Sequence, residues 1–521
     1  MTTTETLSFK NAIDTDFSNQ ENVTAIEAAI KAVSDLNGTK YPYIINGEKI
    51  YTDNQIVSIN PANPSEIIGS VSKVSQHEAE RAIQSALSAF DTWSRTSVSE
   101  RAEYLLKAAR VLEEKRLELA SVMILEAGKN YAEADAEVSE AIDFLNFYAL
   151  NAIKLSKDDH KLIRIPSEDN NLEYIPLGVG FIVPPWNFPF AITIGLTVSA
   201  LVTGNTVLLK PASVTPIIAY KFVEIMEEVG LPKGVLNFIP GDSSEIGDYI
   251  TGHPQIRFIS FTGSKEVGLH INALAAQTAK GQKWIKRVNA EMGGKDGIVV
   301  DETADLDYVA EEVVQAAFSF QGQKCSAGSR LIVVEDVYEQ QLEKVVERTK
   351  ELTIGLGSDN CDVGPVIDEK AYKSILNYIE IGRNEGTLVL GGNPVDCEGY
   401  FIEPTIIKDV TKESRIMKEE IFGPVLAVAK AKDWKEAIEI YNATEYGLTG
   451  SFFSSVEERV DVAAEEMHCG NLYINRRCTG ALVGVHPFGG FNMSGTDSKS
   501  GSYDYLKLFS QPKLVTKKIQ F

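Results

Sequence analysis

Gly178-Val-Gly-Phe-Ile-Val-Pro-Pro185 is a short apolar run that ends in two prolines, and it opens a series of such runs. Three more follow at Thr206–Leu209, 235–239 and 256–261, and the segments between them, such as 215–229, have helical spacing. Short apolar strands that alternate with helices are typical of βαβ units. The series therefore predicts an α/β fold with a parallel sheet covered by helices.

Glycines and prolines cluster where these predicted strands end, at Pro184-Pro185, Pro211, Pro240-Gly241 and Gly263. The carboxyl ends of the strands form the edge of an open α/β sheet at which ligands bind. We therefore expect a ligand cleft along this edge.

Other segments predict a second α/β unit and further helices. The second α/β stretch begins near Gly297 and continues to about residue 485. Upstream, Ser97 and Glu100 have the spacing of a capping box, which predicts one long helix ending at Gly128. A further helix is predicted over about 132–152.

The two ends of the chain have their own patterns. Residues 1–37 are polar and weakly helical, which predicts an N-terminal helical extension packed on the main body. Asn46-Gly47 predicts a hairpin, because this pair supplies the positive φ of a tight turn. The tail, residues 507–521, alternates loosely and predicts a final strand.

Composition and charge disfavour several classes of function. The chain has 521 residues, enough for two or three domains, and a net charge of 50 − 73 = −23. This charge disfavours nucleic acids and anionic membranes as partners. No run approaches the roughly 18 apolar residues of a membrane span, and residues 1–10 lack the apolar segment of a secretory signal. Five cysteines without paired spacing favour a reducing compartment, so we expect a cytoplasmic protein.

The most informative cysteine is Cys325, in the run Phe320-Gln-Gly-Gln-Lys-Cys-Ser-Ala-Gly328 after a predicted amphipathic helix. A nucleophilic thiol needs a lowered pKa, and the neighbouring cation of Lys324 is expected to help lower it. A lone cysteine is more often a small buried hydrophobic residue. The segment alone leaves both interpretations open.

Four other short segments combine glycine, aromatic and acidic residues: Pro184-Pro-Trp-Asn-Phe-Pro-Phe190, Phe261-Thr-Gly-Ser-Lys-Glu-Val-Gly268, Glu291-Met-Gly-Gly-Lys-Asp296 and Glu419-Glu-Ile-Phe-Gly-Pro424. The second gives phosphate oxygens a glycine-rich approach to a helix N-terminus. Each segment alone fits an ordinary turn or a packing contact equally well.

Together, and in this order, these segments and Leu209-Lys-Pro-Ala resemble the aldehyde dehydrogenase superfamily from about residue 40 to the C-terminus. The resemblance implies a Rossmann-like dinucleotide-binding domain, an α/β catalytic domain and a β-flap for oligomerisation. The implied boundaries are 1–37 for the N-terminal extension, 38–155 and 176–290 for the NAD-binding domain, 156–175 and 500–521 for the flap, and 291–499 for the catalytic domain.

The same resemblance implies the catalytic residues. Cys325 would attack an aldehyde, and the Asn187 amide with the Cys325 backbone N–H would stabilise the resulting oxyanion. Glu291 would be the general base for hydrolysis of the thioester. Members that transfer the acyl group to coenzyme A often lack this glutamate, so its presence favours release of a free acid. No metal is implied.

The implied cofactor is NAD. Lys210 would hold the adenosine ribose, Ser264 the pyrophosphate and Glu420 the nicotinamide ribose. Many strictly NAD-dependent relatives have a glutamate at the position of Ser213, where it would repel a 2′-phosphate, so NADP stays an alternative. The full set of cofactor-binding candidates is Val183, Pro185, Trp186, Lys210, Ser213, Gly241, Gly247, Gly263, Ser264, Val267, Glu420 and Phe422.

The glycine-rich run from Thr479 to Lys499 resembles the branch of the family that oxidises L-glutamate γ-semialdehyde, although such a run is also an ordinary loop. Backbone N–H groups of Gly480 and Ala481 could bind the substrate carboxylate. Glu140, whose alternative is an exposed helix glutamate, would lie near the ammonium group. The implied substrate-binding residues are Glu140, Phe188, Lys324, Ser326, Gly480, Ala481 and Phe488.

Three hypotheses about the function result. The leading prediction is NAD-dependent oxidation of L-glutamate γ-semialdehyde, from Δ1-pyrroline-5-carboxylate, to L-glutamate in proline degradation. Another semialdehyde, succinate semialdehyde above all, is the second. A catalytically inactive binding protein on the same fold is the third, which the joint presence of Cys325, Glu291, Asn187 and Lys210 disfavours. Predicted edge strands near 160–175 and in the tail favour a homo-oligomer, at least a dimer.

Overall fold

The computed structural model describes residues 8–157 and 162–519. Three short ranges lie outside: residues 1–7 of the predicted extension, and residues 158–161 and 520–521 of the predicted flap. No described helix is long and apolar enough to cross a lipid bilayer.

The helices within the described ranges are, in chain order, α1 (Gln20–Ser34), α2 (Gln76–Trp93), α3 (Val98–Glu114), α4 (Arg116–Ala127), α5 (Tyr131–Lys157), α6 (Ala191–Val202), α7 (Pro216–Glu228), α8 (Asp248–Gly252), α9 (Lys265–Ala275), α10 (Leu306–Phe318), α11 (Tyr338–Lys350), α12 (Glu369–Glu385), α13 (Arg415–Lys418), α14 (Trp434–Asn442) and α15 (Glu457–Glu466).

The strands are β1 (Thr39–Tyr41), β2 (Tyr43–Ile45), β3 (Glu48–Ile50), β4 (Gln55–Asn60), β5 (Asn63–Ser72), β6 (Glu168–Pro176), β7 (Val179–Val183), β8 (Thr206–Leu209), β9 (Leu236–Phe238), β10 (Ile256–Thr262), β11 (Arg287–Glu291), β12 (Asp296–Val300), β13 (Gly328–Val334), β14 (Thr387–Leu390), β15 (Thr405–Lys408), β16 (Val425–Ala431), β17 (Tyr446–Gly447), β18 (Thr449–Phe453), β19 (Asn471–Ile474), β20 (Phe491–Asn492) and β21 (Ser510–Lys518).

The first large sheet has the order β11-β10-β7-β8-β9-β2-β3, and β7 to β11 are parallel. The four apolar runs of the sequence form β7, β8, β9 and β10, so the predicted parallel sheet is confirmed. The hairpin β2–β3 joins at the far edge, and its turn residues Asn46 and Gly47 have φ of 54° and 71°. The predicted hairpin is therefore confirmed as well.

The second large sheet has the order β14-β15-β16-β13-β12-β18-β19, in which only β14 is antiparallel to its neighbour. The helix α10 lies between β12 and β13 and ends just before the turn that carries Cys325. Its buried face, which includes Val309, Val313 and Ala317, packs in the core of this unit.

Two small sheets extend the structure. One has the strand order β1-β5-β4. In the other, β6 and the predicted final strand β21 pair antiparallel over nine residues, from Ser510 opposite Pro176 to Lys518 opposite Glu168. The domain boundaries inferred from the resemblance stay predictions.

The single long helix predicted up to Gly128 is wrong. Two helices, α3 and α4, meet at Lys115, whose φ of −101° and ψ of 14° break the helix. The next residue, Arg116, is buried, and its guanidinium donates to Asp135 at 3.0 Å and to Ser139 at 2.8 Å on α5. Contacts with another helix therefore set this break. Gly128 does end α4 in the left-handed region, at φ 69°.

Candidate active site

The turn before Cys325 has an unusual backbone. Phe320, Gln321 and Gly322 follow α10 with φ of 51°, 56° and 65°, and the left-handed region is costly for the first two. Gly322 is required here, because a Cβ atom on it would lie 2.4 Å from the carbonyl oxygen of Gly423. The surrounding residues must therefore stabilise this turn.

A buried cation and a carboxylate hold the turn from the side of α5. The backbone N–H of Phe320 donates to the Glu133 carboxylate at 2.5 Å. The Lys129 ammonium lies 3.8 Å from the ring centre of Phe320 and 4.3 Å from that of Phe188. A buried ion pair with Glu137, 2.9 Å long, compensates the charge of Lys129.

The environment of the Cys325 thiol is acidic. Burial, followed by the negative charges of Asp296, Glu291 and Glu420, raises the pKa of Cys325 well above its ordinary value. The expectation that Lys324 lowers this pKa is wrong. Its ammonium donates instead to the Ser319 hydroxyl at 3.0 Å, at the end of α10. Burial and these charges therefore favour the thiol form of Cys325 over the thiolate.

Asn187 lies against the same turn. Its side-chain amide is buried and donates to the carbonyl oxygen of Gln323 at 2.9 Å, which leaves its second N–H available. The backbone N–H of Cys325 donates to no residue in the described ranges. These two N–H groups can act as donors to an oxyanion that forms on a carbonyl carbon attacked by Cys325.

Glu291 is a buried carboxylate at the end of β11. One oxygen accepts a hydrogen bond from the Ser498 hydroxyl, and the other has no partner among the described residues. Burial raises the pKa of Glu291 to about 7, although the Ser498 hydroxyl and the backbone N–H groups of Gly490 and Ser498 act in the opposite direction. A carboxyl group with this pKa can gain or lose a proton at neutral pH.

The glycine pair after Glu291 packs against two other parts of the site. A Cβ atom on Gly293 would lie 2.2 Å from the Glu420 carboxylate, and one on Gly294 would lie 2.4 Å from the carbonyl oxygen of Cys325. The backbone N–H of Gly294 donates to Glu420 at 2.9 Å. Any larger residue here would displace Glu420 or Cys325.

The carboxyl edge of the first sheet carries residues for which the sequence predicts contacts with a cofactor. Lys210 follows β8, and its buried ammonium makes no hydrogen bond or ion pair within the described ranges. Burial lowers the pKa of Lys210 to about 8. Ser264 caps the N-terminus of α9, which is exposed there. An unpaired amine and an exposed helix N-terminus at the same edge of the sheet fit the ribose and pyrophosphate of a dinucleotide.

The remaining cofactor candidates line this edge. Val183 ends β7, and Pro185 and Trp186 follow it, with the Trp186 and Phe422 ring centres 5.4 Å apart. Gly241 permits close packing, since a Cβ atom would lie 2.6 Å from Ile246. The others lie nearby in the chain: Ser213 between β8 and α7, Gly247 at the start of α8, and Gly263 and Val267 at the start of α9.

The predicted carboxylate site has two free donors. Neither Gly480 nor Ala481 donates its backbone N–H to another described residue. The Arg476 guanidinium binds the carbonyl oxygens of Thr479 and Gly480, both at 3.0 Å. With φ of 78°, Gly480 has the backbone of a turn that favours glycine. The loop is therefore organised with its carbonyl groups occupied and two N–H groups free.

The other substrate candidates lie on several different segments of the chain. Glu140 is half-buried on α5, and burial raises its pKa to about 8, so the alternative of an exposed helix glutamate is wrong. Phe188 packs on Lys129, and Phe488 pairs through its backbone with Ser500. Ser326 follows the nucleophile and is half-buried. The roles assigned to these side chains stay predictions.

Sequence reasoning missed several residues that shape the site. Ser498 and Asp296 set the electrostatics of Glu291 and Cys325, and Lys129 supports the turn before the nucleophile. Cys478 donates through Sγ to the Ser326 carbonyl at 3.4 Å. Each acts across a long separation in the chain, which no local sequence pattern indicates.

Comparison with known proteins gives consistent matches over the whole chain. The model of the "Aldehyde dehydrogenase family" matches residues 50–515. A 1-pyrroline-5-carboxylate dehydrogenase of Geobacillus sp. (strain WCH70) is 55% identical over 509 residues, which cover 98% of this chain and 99% of that protein. One from Anoxybacillus flavithermus (strain DSM 21510 / WK1) is 54% identical over 509 residues, with the same coverage.

A solved structure is also similar. The 1-pyrroline-5-carboxylate dehydrogenase from Thermus with bound NAD superimposes with a TM-score of 0.98 at 47% sequence identity. The match covers 99% of this chain and 100% of that one.

Proposed function

Because this chain belongs to the aldehyde dehydrogenase family, we propose that it oxidises L-glutamate γ-semialdehyde to L-glutamate, with NAD as the oxidant. This semialdehyde forms when water opens the ring of Δ1-pyrroline-5-carboxylate, so the reaction belongs to proline degradation. The observation that supports this choice of substrate is the loop with two free N–H groups, at Gly480 and Ala481. The contact between Cys478 and Ser326 fixes the base of that loop beside the nucleophile.

The substrate carries its carboxylate at one end and its aldehyde at the other. In the proposal, the Gly480 and Ala481 N–H groups bind the carboxylate, and the Ser326 hydroxyl assists. Phe188 and Phe488 contact the aliphatic chain. Glu140 lies near the ammonium group, whose positive charge would favour the ionised form of the Glu140 carboxyl. The aldehyde carbon then lies at Cys325.

The first chemical step is attack by the Cys325 sulfur on the aldehyde carbon, with loss of the thiol proton. The C=O double bond becomes a single bond, and the resulting oxyanion is stabilised by the Asn187 amide and the Cys325 backbone N–H. Two observations support this role: one N–H of the Asn187 amide is not used in its bond to Gln323, and the Cys325 backbone N–H has no partner among the described residues.

A bound NAD would supply the acceptor for the aldehyde hydrogen and two electrons, and loss of this hydride would leave a thioester on Cys325. The chain supplies Lys210, the N-terminus of α9 and Glu420 to hold the dinucleotide. Glu291 then removes a proton from water, which attacks the thioester and releases glutamate with the Cys325 thiol restored. The balance is aldehyde, NAD⁺ and water in, and carboxylate, NADH and protons out.

The assembly that we propose is a homo-oligomer formed through the β6–β21 flap. Ile163 and Leu514 on this flap are 92% and 57% exposed in the single chain. Apolar side chains at this exposure favour burial against a second copy. The described cysteines are all unpaired, which agrees with the reducing cytoplasm as the proposed location.

The test is a steady-state comparison of L-glutamate γ-semialdehyde with succinate semialdehyde, each with NAD and with NADP. We expect γ-semialdehyde with NAD to have the highest kcat/KM, and Cys325→Ala to form no NADH. Equal kcat/KM values for the two aldehydes would contradict the substrate, because succinate semialdehyde lacks the ammonium group that Glu140 is proposed to recognise.

A further inference from the structure

We propose that residues 9–17, named here the N-terminal strap, position the Gly480–Ala481 loop and thereby set the affinity for the carboxylate end of the substrate. The proposal rests on the proposed function for the identity of that substrate. The strap has no regular secondary structure. Such a segment stays ordered only where side-chain contacts hold it.

The strap lies along one face of α5. Its contacts are with Phe147, Asp143, Asp135 and Tyr131, which are four or eight residues apart and form one stripe on a helix. The stripe is about 24 Å long at 1.5 Å per residue. Eight residues span at most about 26–29 Å, so the strap is almost fully extended and runs antiparallel to the helix.

Hydrogen bonds fix the middle of the strap. The backbone N–H and hydroxyl of Thr15 donate to the two oxygens of Asp135, at 2.7 and 2.8 Å. The backbone N–H of Ala12 donates to Asp143 at 2.7 Å. Both aspartates are buried and have little access to water. These bonds supply hydrogen-bond donors that water would otherwise provide.

Asn11 connects the strap to the substrate loop. Its side-chain amide donates to Asp143 at 2.7 Å and also to the carbonyl oxygen of Val483 at 3.0 Å. Val483 is two residues beyond Ala481 in the loop. One amide group therefore links the strap, α5 and the loop.

An aromatic contact reinforces this link. The rings of Phe9 and Phe147 meet edge to face, with centres 5.2 Å apart. Gly484 packs against both, since a Cβ atom there would lie 3.0 Å from Phe9 and 2.9 Å from Phe147, and its φ is 77°. The loop thus packs on two rings, one from Phe9 of the strap and one from Phe147 of α5.

The position of the Gly480–Ala481 loop affects binding because its two free N–H groups must converge on one carboxylate. Loss of one neutral hydrogen bond to the loop costs about three- to tenfold in an equilibrium constant. That loss weakens binding of an aldehyde with a carboxylate. It leaves an aldehyde without a carboxylate unaffected, because the nucleophile does not contact the strap.

The experiment compares Asn11→Ala, Asn11→Asp and the control Ser18→Ala with the full-length enzyme. Asn11→Asp keeps the shape of the side chain but cannot donate and places a carboxylate beside Asp143. Ser18 is exposed, and its hydroxyl contacts Asp16 within the same segment. The readouts are KM for L-glutamate γ-semialdehyde, KM for NAD, kcat/KM for propanal, and amide hydrogen exchange of residues 480–486.

We expect both Asn11 variants to raise KM for γ-semialdehyde about three- to tenfold and to accelerate exchange in residues 480–486. Propanal kinetics, KM for NAD and the Ser18→Ala enzyme should change less than about twofold. An unchanged KM and unchanged exchange in the folded Asn11 variants would overturn the proposal, as would an equal loss with propanal.

The two proposals fail in different ways. A wild-type enzyme that does not prefer γ-semialdehyde would contradict the proposed function, while faster exchange of the loop in the Asn11 variants would still support the strap. If Asn11→Ala does not fold, Asn11→Asp and Phe9→Leu give the same exchange measurement, and unchanged rates in both would reject the strap.

Discussion

Replacing Ser498 by alanine should move the pH dependence of thioester hydrolysis to higher pH. The Ser498 hydroxyl donates to the Glu291 carboxylate and stabilises its ionised form, which opposes the effect of burial on the pKa. Glu291 acts as a base only when ionised, so hydrolysis rises with pH through this pKa. Without the hydroxyl the pKa rises, and the rate at neutral pH falls.

The size of the shift follows from the hydrogen bond. A hydrogen bond to a charged group contributes about 1.5–3 kcal/mol, and one pKa unit corresponds to about 1.4 kcal/mol. Two backbone N–H groups remain on the carboxylate, so we expect a shift of about one unit from the starting value of about 7. At pH 7 the ionised fraction then falls from about one half to about one tenth, and hydrolysis slows about fivefold.

Rapid quenching after formation of the thioester measures hydrolysis separately from NADH formation. The matched control is Ser502→Ala, because the buried Ser502 hydroxyl lies in the same segment and has no hydrogen-bond partner among the described residues. The control should keep the wild-type profile, and Ser498→Ala should recover near pH 9. A Ser498→Ala profile that stays in place, or moves to lower pH, would refute the assignment of Glu291 as the base.

Two further substitutions test the cofactor side of the site. Gly293→Ala places a Cβ atom 2.2 Å from the Glu420 carboxylate, so Glu420 must move. We expect KM for NAD to rise at least about tenfold, with little change in the melting temperature. An unchanged KM would contradict the assignment of Glu420 to the cofactor site. Ser213→Glu adds a carboxylate after Lys210 and should lower kcat/KM for NADP at least about tenfold by repulsion of the 2′-phosphate, with NAD unaffected; equal losses for both cofactors would contradict this placement.

The parts of the fold that could be predicted are those encoded locally. The apolar runs predicted β7 to β10 because a strand buried on both faces has apolar residues throughout. Asn46-Gly47 predicted the hairpin because its turn requires two positive φ values. The order of the six motifs predicted which segments meet at the cleft, through resemblance to a family rather than through any property of one motif.

The parts that could not be predicted depend on contacts between distant residues. Phe320 and Gln321 adopt the left-handed region although neither is glycine, because Glu133 and Lys129, nearly 200 residues earlier, stabilise the turn. The pKa of Cys325 was predicted to fall because Lys324 is its neighbour in sequence. The direction is the opposite, because burial and three carboxylates from other segments determine it and Lys324 points away.

Helix N-termini show the same distinction. Two buried glutamates, Glu126 and Glu137, each accept backbone N–H groups from the first turn of a helix, α7 and α6 respectively. A residue directly before the helix normally fills this role, and sequence patterns detect only that local arrangement. Here the carboxylate comes from α4 or α5, so the capping also fixes how the helices pack.

The glycine pair Gly293–Gly294 couples the two halves of the site. One backbone segment contacts Glu420 through Gly293 and the carbonyl oxygen of Cys325 through Gly294, and it begins at the carboxylate of Glu291. Movement of this segment by even 1 Å would therefore shift Glu291, Cys325 and Glu420 together. Since neither glycine has a positive φ, close approach rather than backbone conformation requires both residues. The relative positions of these three residues thus depend on the absence of two side chains.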